Sequence, residues 1–299
     1  MNKERISYTA TLLPNGNVLV LSGIEEGDYN SAEVYDALRG TWNITSDMLL
    51  ERKYHAISVL PNGKVLVSGG AKRDSTAIRS AELYDPVTGF WNKTHPMHSG
   101  RYGHSSTLLP NGKVLVAGGN NGKGVNGLHK TAELYDPKTQ RWNMTGSMNS
   151  VRATQIALVL KNGKVLTIGG GPINAELYDP LTETWNVTGC MHYSRDRYPA
   201  TGNWTMTGNL NIARCGHTQS LLPNGKVLAA GGAAPLDPLR NAEIFDPSTG
   251  NWTNVEYMHD IRVDHTATLL LNGYVLLAGG LTNSAELYNQ TNGSNFSFL

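Results

Sequence analysis

Apolar residues along this chain fall into short runs rather than into any helical period. Val65-Leu66-Val67, Val114-Leu115-Val116 and Val165-Leu166 are uninterrupted apolar stretches, the pattern of a strand covered on both faces. Each is preceded by Asn-Gly (15–16, 62–63, 111–112, 162–163, 224–225 and 272–273) and followed by a glycine pair. Asn-Gly between two apolar runs predicts a hairpin, with both turn residues at positive φ in a type I′ turn. In the stretch that starts at Arg101 the full order predicts four strands, around 103–109, 113–118, 131–135 and 141–145. Asp-Pro-x-Thr-Gly at 85–89 and 246–250 marks the turn between the third and fourth.

The same order recurs six times. The second glycine of the pair lies at 23, 70, 119, 170, 232 and 280, in steps of 47, 49, 51, 62 and 48, with Ser22-Gly23 a degenerate first copy. A glycine pair, then Glu-Leu-Tyr-Asp-Pro, then Trp, at a period near fifty, resembles the kelch repeat, in which each copy is one blade of a β-propeller. The resemblance covers residues 5 to 299 and implies an all-β, six-bladed propeller of four-stranded antiparallel blades. The repeats run about 5–48, 49–97, 98–148, 149–191, 211–258 and 259–299 in one domain, 1–299. The glycine pairs suit places where backbones crowd and no Cβ fits. Packing of the Tyr and Trp faces of neighbouring blades would build the core.

The step of 62 leaves a surplus near 192–210 that starts like one blade (Arg195 to Tyr198) and ends like another (Pro199 to Leu210). It reads as the remnant of a partial seventh repeat that has lost its two central strands. In the last copy Asn289-Gln290 replaces Asp-Pro, and Phe296 stands near the place of Trp. No strand is visibly donated from one terminus to the other to latch the blades.

Composition narrows the function classes. The 299 residues carry a net charge of +1 with no basic or acidic run, so neither nucleic acid nor an anionic membrane is expected as a partner. No 18-residue apolar stretch occurs, and the missing apolar signal-peptide core marginally favours the cytoplasm. Cys190 and Cys215 lack metal-ligand spacing and read as free thiols, with a disulfide across the surplus segment as the alternative. Nine Asn-x-Ser/Thr sequons, among them Asn43, Asn92, Asn143 and Asn186, read as one chance sequon copied with Trp-Asn-x-Thr.

The candidate chemistry is an arginine at the head of every first strand: Arg5, Arg52, Arg101, Arg152, Arg214 and Arg262. Three residues later stand Tyr8, His55, His104, Gln155, His217 and His265. Kelch adaptor propellers place arginines there around the mouth of a central pocket and grip acidic partner segments with them. By that resemblance the six arginines, with Tyr54, Tyr102, Lys53 and Asp264, form a partner-binding face, since guanidinium forks suit carboxylates. The competing reading is internal. Each copy also carries a glutamate, Glu33, Glu82, Glu133, Glu176, Glu243 or Glu286, so that six ion pairs could serve the fold alone. Histidines spread one per blade are too far apart to share a metal.

The repeat also resembles the propeller of galactose-oxidase-type copper enzymes, whose copper and cross-linked tyrosine draw on a further domain. Neither cysteine here has that context, and no nucleophile elbow, phosphate loop or carboxylate pair is visible. The expectation is therefore a non-enzymatic, monomeric protein-interaction scaffold with no cofactor and no metal. A glycan- or small-ligand-binding propeller is the alternative, and a copper enzyme fragment the weaker one. The loops after the glycine pairs (71–79, 120–130, 171–174 and 233–240) differ most and are expected to carry specificity.

Overall fold

The computed structural model describes all residues except 4, 6–7, 24–28, 172–173, 191–209, 213, 215, 235–236, 291–294 and 299, and omits the side chains of 125, 189, 190, 295 and 298. The surplus segment near 192–210 and the cysteine pair therefore lie outside what is described, apart from Leu210 and the backbone of Cys190.

Six four-stranded antiparallel sheets make the protein an all-β, six-bladed propeller, with a two-stranded ribbon, Ala233–Ala234 and Asp237–Pro238, between the second and third strands of blade 5. Blade 1 is Thr9–Leu12, Val18–Leu21, Ala32–Asp36 and Thr41–Ile44. Blade 2 is Ala56–Val59, Val65–Ser68, Ala81–Asp85 and Phe90–Thr94. Blade 3 is Ser105–Leu108, Val114–Ala117, Ala132–Asp136 and Arg141–Thr145. Blade 4 is Ile156–Val159, Val165–Ile168, Asn174–Asp179 and Thr184–Cys190. Blade 5 is Thr218–Leu221, Val227–Ala230, Ala242–Asp246 and Asn251–Asn254. Blade 6 is Thr266–Leu269, Val275–Ala278, Ala285–Asn289 and Asn295–Phe298. Every blade pairs its strands in chain order, and among the described residues no strand is exchanged between the two ends of the chain.

The contacts divide the chain into two compact units, 1–46 with 207–299 and 47–206. In the first, blades 5, 6 and 1 pack in succession; in the second, blades 2, 3 and 4 do. The uninterrupted second strands of blades 1, 2, 3 and 6 are wholly buried, as their composition requires.

The core differs from an aromatic face meeting an aromatic face. Val114, Val116, Tyr135 and Trp142 of blade 3 meet Leu60, Leu66, Ala81, Leu83 and Met97 of blade 2. The same two-sided scheme joins blade 4 to blade 3, blade 6 to blade 5 and blade 1 to blade 6. Side chains alternate across a strand, so one face of every blade is aromatic and the other aliphatic. The Tyr–Trp contacts lie within a blade, between register partners such as Tyr84 and Trp91, with centroids 5.0 Å apart. Phe296 takes the place of Trp opposite Tyr288 at 5.1 Å. The indole N–H crosses to the previous blade: Trp142 donates to the His95 carbonyl (2.8 Å) and Trp185 to that of Gly146 (2.9 Å). The methionine closing the repeat (Met97, Met148, Met258) is a buried member of the aliphatic side.

The hairpins also depart from the type I′ expectation. Only the glycine of each Asn-Gly has positive φ, +81° at Gly63. Gly63 N–H donates to Leu60 C=O at 2.9 Å, Leu60 N–H to Lys64 C=O at 2.8 Å, and Lys64 N–H to Asn62 Oδ1 at 3.2 Å. This is a type I turn closed by a left-handed glycine. Loop length decides it, because three residues separate Leu60 from Lys64, and the turn is the same where Lys161 or Leu271 replaces the proline.

Gly69 has no room for a side chain. Its φ is +59°, and a Cβ would sit 2.4 Å from Arg101 O and 2.7 Å from the His104 ring of the next blade. Gly225 has φ +82° with open space around it. Gly225→Ala is therefore expected to cost only the backbone strain, about 1 kcal/mol. Gly69→Ala, which adds the inter-blade clash, should cost at least about 3 kcal/mol. Urea unfolding of the two variants checks the difference.

Candidate functional site

The six arginines come first, because their surroundings are repeated almost atom for atom. Five are buried and Arg214 is half-buried, and the side chain of all six is fully covered. In blade 3, Arg101 Nη2 donates to Glu133 Oε1 at 2.9 Å, and Nη1 to the carbonyls of Gly118 (2.7 Å) and Thr131 (3.0 Å). The same donors reach Glu82, Gly69 and Ser80 from Arg52, and Glu286, Gly279 and Ser284 from Arg262. Arg5, Arg152 and Arg214 pair with Glu33, Glu176 and Glu243 at 3.0, 3.3 and 2.6 Å. The guanidinium thus spans the end of the second strand and the start of the third, holding the carbonyl of the first doublet residue.

The second carboxylate oxygen is occupied as well. Glu133 Oε2 accepts the His98 N–H at 2.8 Å, and Glu176 Oε2 that of Asn149 at 2.6 Å. Leu49, Asn211, His259 and Asn2 do the same for Glu82, Glu243, Glu286 and Glu33. Each donor lies three residues before its arginine. In five blades its side chain adds a second bond, from Nδ2 of Asn2, Asn149 and Asn211 or from Nδ1 of His98 and His259. Sequence reasoning missed this set; its signal is Asn or His three residues ahead of Arg in every copy but that of Leu49. Burial would raise the carboxyl of Glu133, but the His98 N–H, Arg101 and the His98 ring outweigh it and hold it below the ordinary value. Burial pulls Arg101 down, opposed by Glu133. The arrangement matches the internal reading: none of these guanidinium groups meets solvent.

Three residues after four of the arginines comes an inter-blade latch. His104 Nε2 meets Ser68 Oγ of blade 2 at 3.0 Å, and His265 Nε2 meets Thr218 Oγ1 of blade 5 at 2.8 Å. Gln155 donates to Ala117 O of blade 3 at 2.6 Å, and the Tyr8 hydroxyl donates to Ala278 O of blade 6. Burial, and then the neighbouring arginine, lowers the pKa of His55 and His265 to about 3 and that of His104 well below its ordinary value; the Tyr8 hydroxyl is pushed up to about 12, chiefly by burial.

Two residues after the arginine the backbone turns left-handed, at Tyr54 (φ +56°), Gly103 (+60°), Thr154 (+57°), Gly216 (+63°) and Asp264 (+52°). These turns link blade to blade within each unit. Gly103 N–H donates to Tyr54 O at 2.9 Å, Thr154 N–H to Gly103 O at 2.6 Å, and Asp264 N–H to Gly216 O at 3.0 Å. On this frame Tyr54 is 54% exposed and Tyr102 half-buried, with centroids 6.1 Å apart and planes at 38°. Lys53 exchanges backbone bonds with Ala71, and Tyr102 with Asn120, so the loops after the glycine pairs start beside the tyrosines. Arg73 forks onto Glu51 through Nε and Nη2, both at 2.9 Å, in the first of these loops. Gly124–Gly127 forms a 3-10 turn in the second, where Asn120 donates to Gly124 O at 2.7 Å.

In sequence, residues 101–149 and 214–259, the third and fifth repeats, match the Kelch motif. No curated protein matches the chain in sequence. Among solved structures it is similar to a fungal alcohol oxidase of the AA5 family, described as in complex with copper, at TM-score 0.76 and 19% identity over 93% of this chain and 70% of that one. It is also similar to YjhT, at TM-score 0.66 and 18% identity over 98% of this chain and 97% of that one. The chain is a kelch-repeat β-propeller with a galactose-oxidase-like fold. Among the described residues no three His, Cys, Asp or Glu side chains converge. No helix among them is long and apolar enough to cross a membrane.

The buried histidines make stability depend on pH. An unfolded histidine takes up a proton below about pH 6.5, whereas folded His55 and His265 do so only near pH 3. The unfolded state then binds more protons, so stability is full above pH 6.5 and falls as pH drops toward 3. Tm should therefore fall between about pH 7 and about pH 4. His104→Gln, which copies the latch that Gln155 already makes, should fold and show a shallower fall in the same thermal scans.

Proposed function

We propose that this protein is a non-enzymatic interaction scaffold that binds a segment of a partner protein on the Tyr54–Tyr102 face of blades 2 and 3. Kelch propellers suit such scaffolding in general, and the observation that carries the reading here is the exposed tyrosine pair. Aromatic side chains on a rigid backbone give large contact area at little entropic cost, the profile of an interface anchor. The two rings rest on inter-blade hydrogen bonds, and the loops 71–79 and 120–130 flank them. Those loops differ in length and sequence, which suits the recognition of one partner over another.

The arginines enter this reading as positioning residues. Arg52 and Arg101 hold the strand ends from which the two tyrosines project, while their charge is taken up by Glu82 and Glu133. Charge for the partner comes instead from Lys53 and from Arg73 with Glu51 beside the rings. A polar or acidic segment carrying an apolar residue for the tyrosines fits this chemistry.

The two roles separate experimentally. Tyr54→Ser with Tyr102→Ser should abolish capture of partner proteins from a native lysate and leave Tm unchanged, since neither ring belongs to the core. Arg101→Ala should act in the opposite order, lowering stability by about 3–5 kcal/mol because Glu133 is left buried and unpaired. Capture that survives the double tyrosine substitution would place the partner face elsewhere.

A further inference from the structure

At the other end of the first strands, the hairpin turns of blades 2 and 3 border a half-open cavity of 660 Å³. Pro61, Pro110 and Pro137 line it, together with Lys113, Asp136 and Lys138. The repeat shows why it lies here. In blades 2, 4 and 5 the turn lysine is spent on the aspartate of its own Asp-Pro: Lys64–Asp85 at 3.1 Å, Lys164–Asp179 at 3.0 Å and Lys226–Asp246 at 2.9 Å. Blade 3 has both residues, Lys113 and Asp136, yet among the described residues they form no ion pair, and both face the cavity.

Blade 3 also adds a second ammonium. Asp136 Oδ1 accepts the N–H of Lys138 at 2.9 Å, just as Asp85 and Asp179 accept those of Val87 and Leu181 at 3.0 Å. Lys138 therefore stands where those blades carry an apolar residue. The carboxamide oxygens of Asn62 and Asn111, also at the cavity, accept their own turn N–H groups, which leaves the amide nitrogens to donate. The polar groups are thus donors with a single carboxylate among them, set between flat apolar proline rings.

We propose that this cavity is a second binding site, which takes an organic carboxylate whose aromatic or aliphatic body lies against Pro61, Pro110 and Pro137. Lys113 and Lys138 hold the carboxylate by charge-assisted hydrogen bonds, and the proline walls supply the apolar contact usual for a ligand pocket. Asp136 cuts the net charge of the lining to one positive, which a monocarboxylate neutralises. The site is independent of the Tyr54–Tyr102 face. The same chemistry can be offered by a free small carboxylate or by an acidic side chain beside an aromatic one in a peptide.

The test follows backbone amide NMR shifts of the full chain during titration with phenylacetate, neutral phenylacetamide and the blocked dipeptide N-acetyl-Phe-Asp-amide. Saturable shifts at Lys113, Lys138 and Asn111 are expected with phenylacetate or the dipeptide at a Kd of roughly 1 mM, and about tenfold weaker with phenylacetamide. Tighter binding of the dipeptide assigns the site to protein-borne carboxylates, and equal or tighter binding of phenylacetate to free ones. Lys113→Gln with Lys138→Gln should cost about tenfold or more at unchanged Tm, and Asp136→Asn should tighten binding a few-fold. The proposal is overturned if neither acid moves these amides up to about 10 mM, if phenylacetamide binds as well as phenylacetate, or if the double lysine variant binds as the parent does.

Discussion

Everything else in this protein is hung on a buried arginine held by a glutamate of its own blade. An ion pair removed from water is a poor source of net stability, because the desolvation of both charges offsets most of their attraction. What it supplies is geometric. Arg101 can satisfy its donors only if the Gly118 carbonyl, the Thr131 carbonyl and the Glu133 carboxylate converge. Glu133 in turn needs the His98 and Ser99 N–H groups. The chain entering the blade, the end of the second strand and the start of the third are fixed together. Displacing any of them strands a buried charge.

Two consequences follow for the contacts between blades. The arginine fixes the direction in which the chain leaves it, so the residue three positions on reaches the preceding blade, as His104 reaches Ser68 and His265 reaches Thr218. The doublet glycine beneath must then be bare, because the arginine carbonyl and the latch ring of the next blade occupy the place of its Cβ. Latch and glycine are one device seen from two blades. The latch varies among His, Gln and Tyr because only two properties matter, a polar atom at the right reach and a bulk that fills the space over the glycine. A neutral histidine meets both, at the cost of a dependence on pH.

The blade count, the strand order and the fully buried second strands were legible because each depends on local signals repeated six times. Less legible was anything needing the partner strand or the next blade. Asn62-Gly63 predicts a mirror-type turn by itself, but three residues separate Leu60 from Lys64, and a loop of that length takes a type I turn closed by a left-handed glycine, with or without proline. The aromatic side of one blade meets the aliphatic side of the next, as Trp142 meets Met97 and Leu83, because strand alternation gives each sheet two unlike faces. Arginine and glutamate were both visible as repeated residues. Spacing alone did not decide between an open cluster and closed pairs, since that depends on which face of the third strand the glutamate occupies. The donor three residues ahead of each arginine went unseen because it alternates between Asn and His, two residues that share only a nitrogen donor at similar reach.

A repeat in which every buried arginine is matched by a glutamate of its own blade has little of that charge left to recognise a partner, so recognition must come from departures from the repeat. The Tyr54–Tyr102 pair is one, since the other described copies place Gly, Thr and Asp at the left-handed turn where Tyr54 stands. Lys113 is another, identical in sequence to its counterparts in blades 2, 4 and 5 but without their ion pair. The two departures act on opposite ends of the same pair of blades and leave the arginine clasp untouched. Blades 2 and 3 can therefore carry function without loosening what holds them, because the groups that specify the fold and the groups open to a ligand are different atoms.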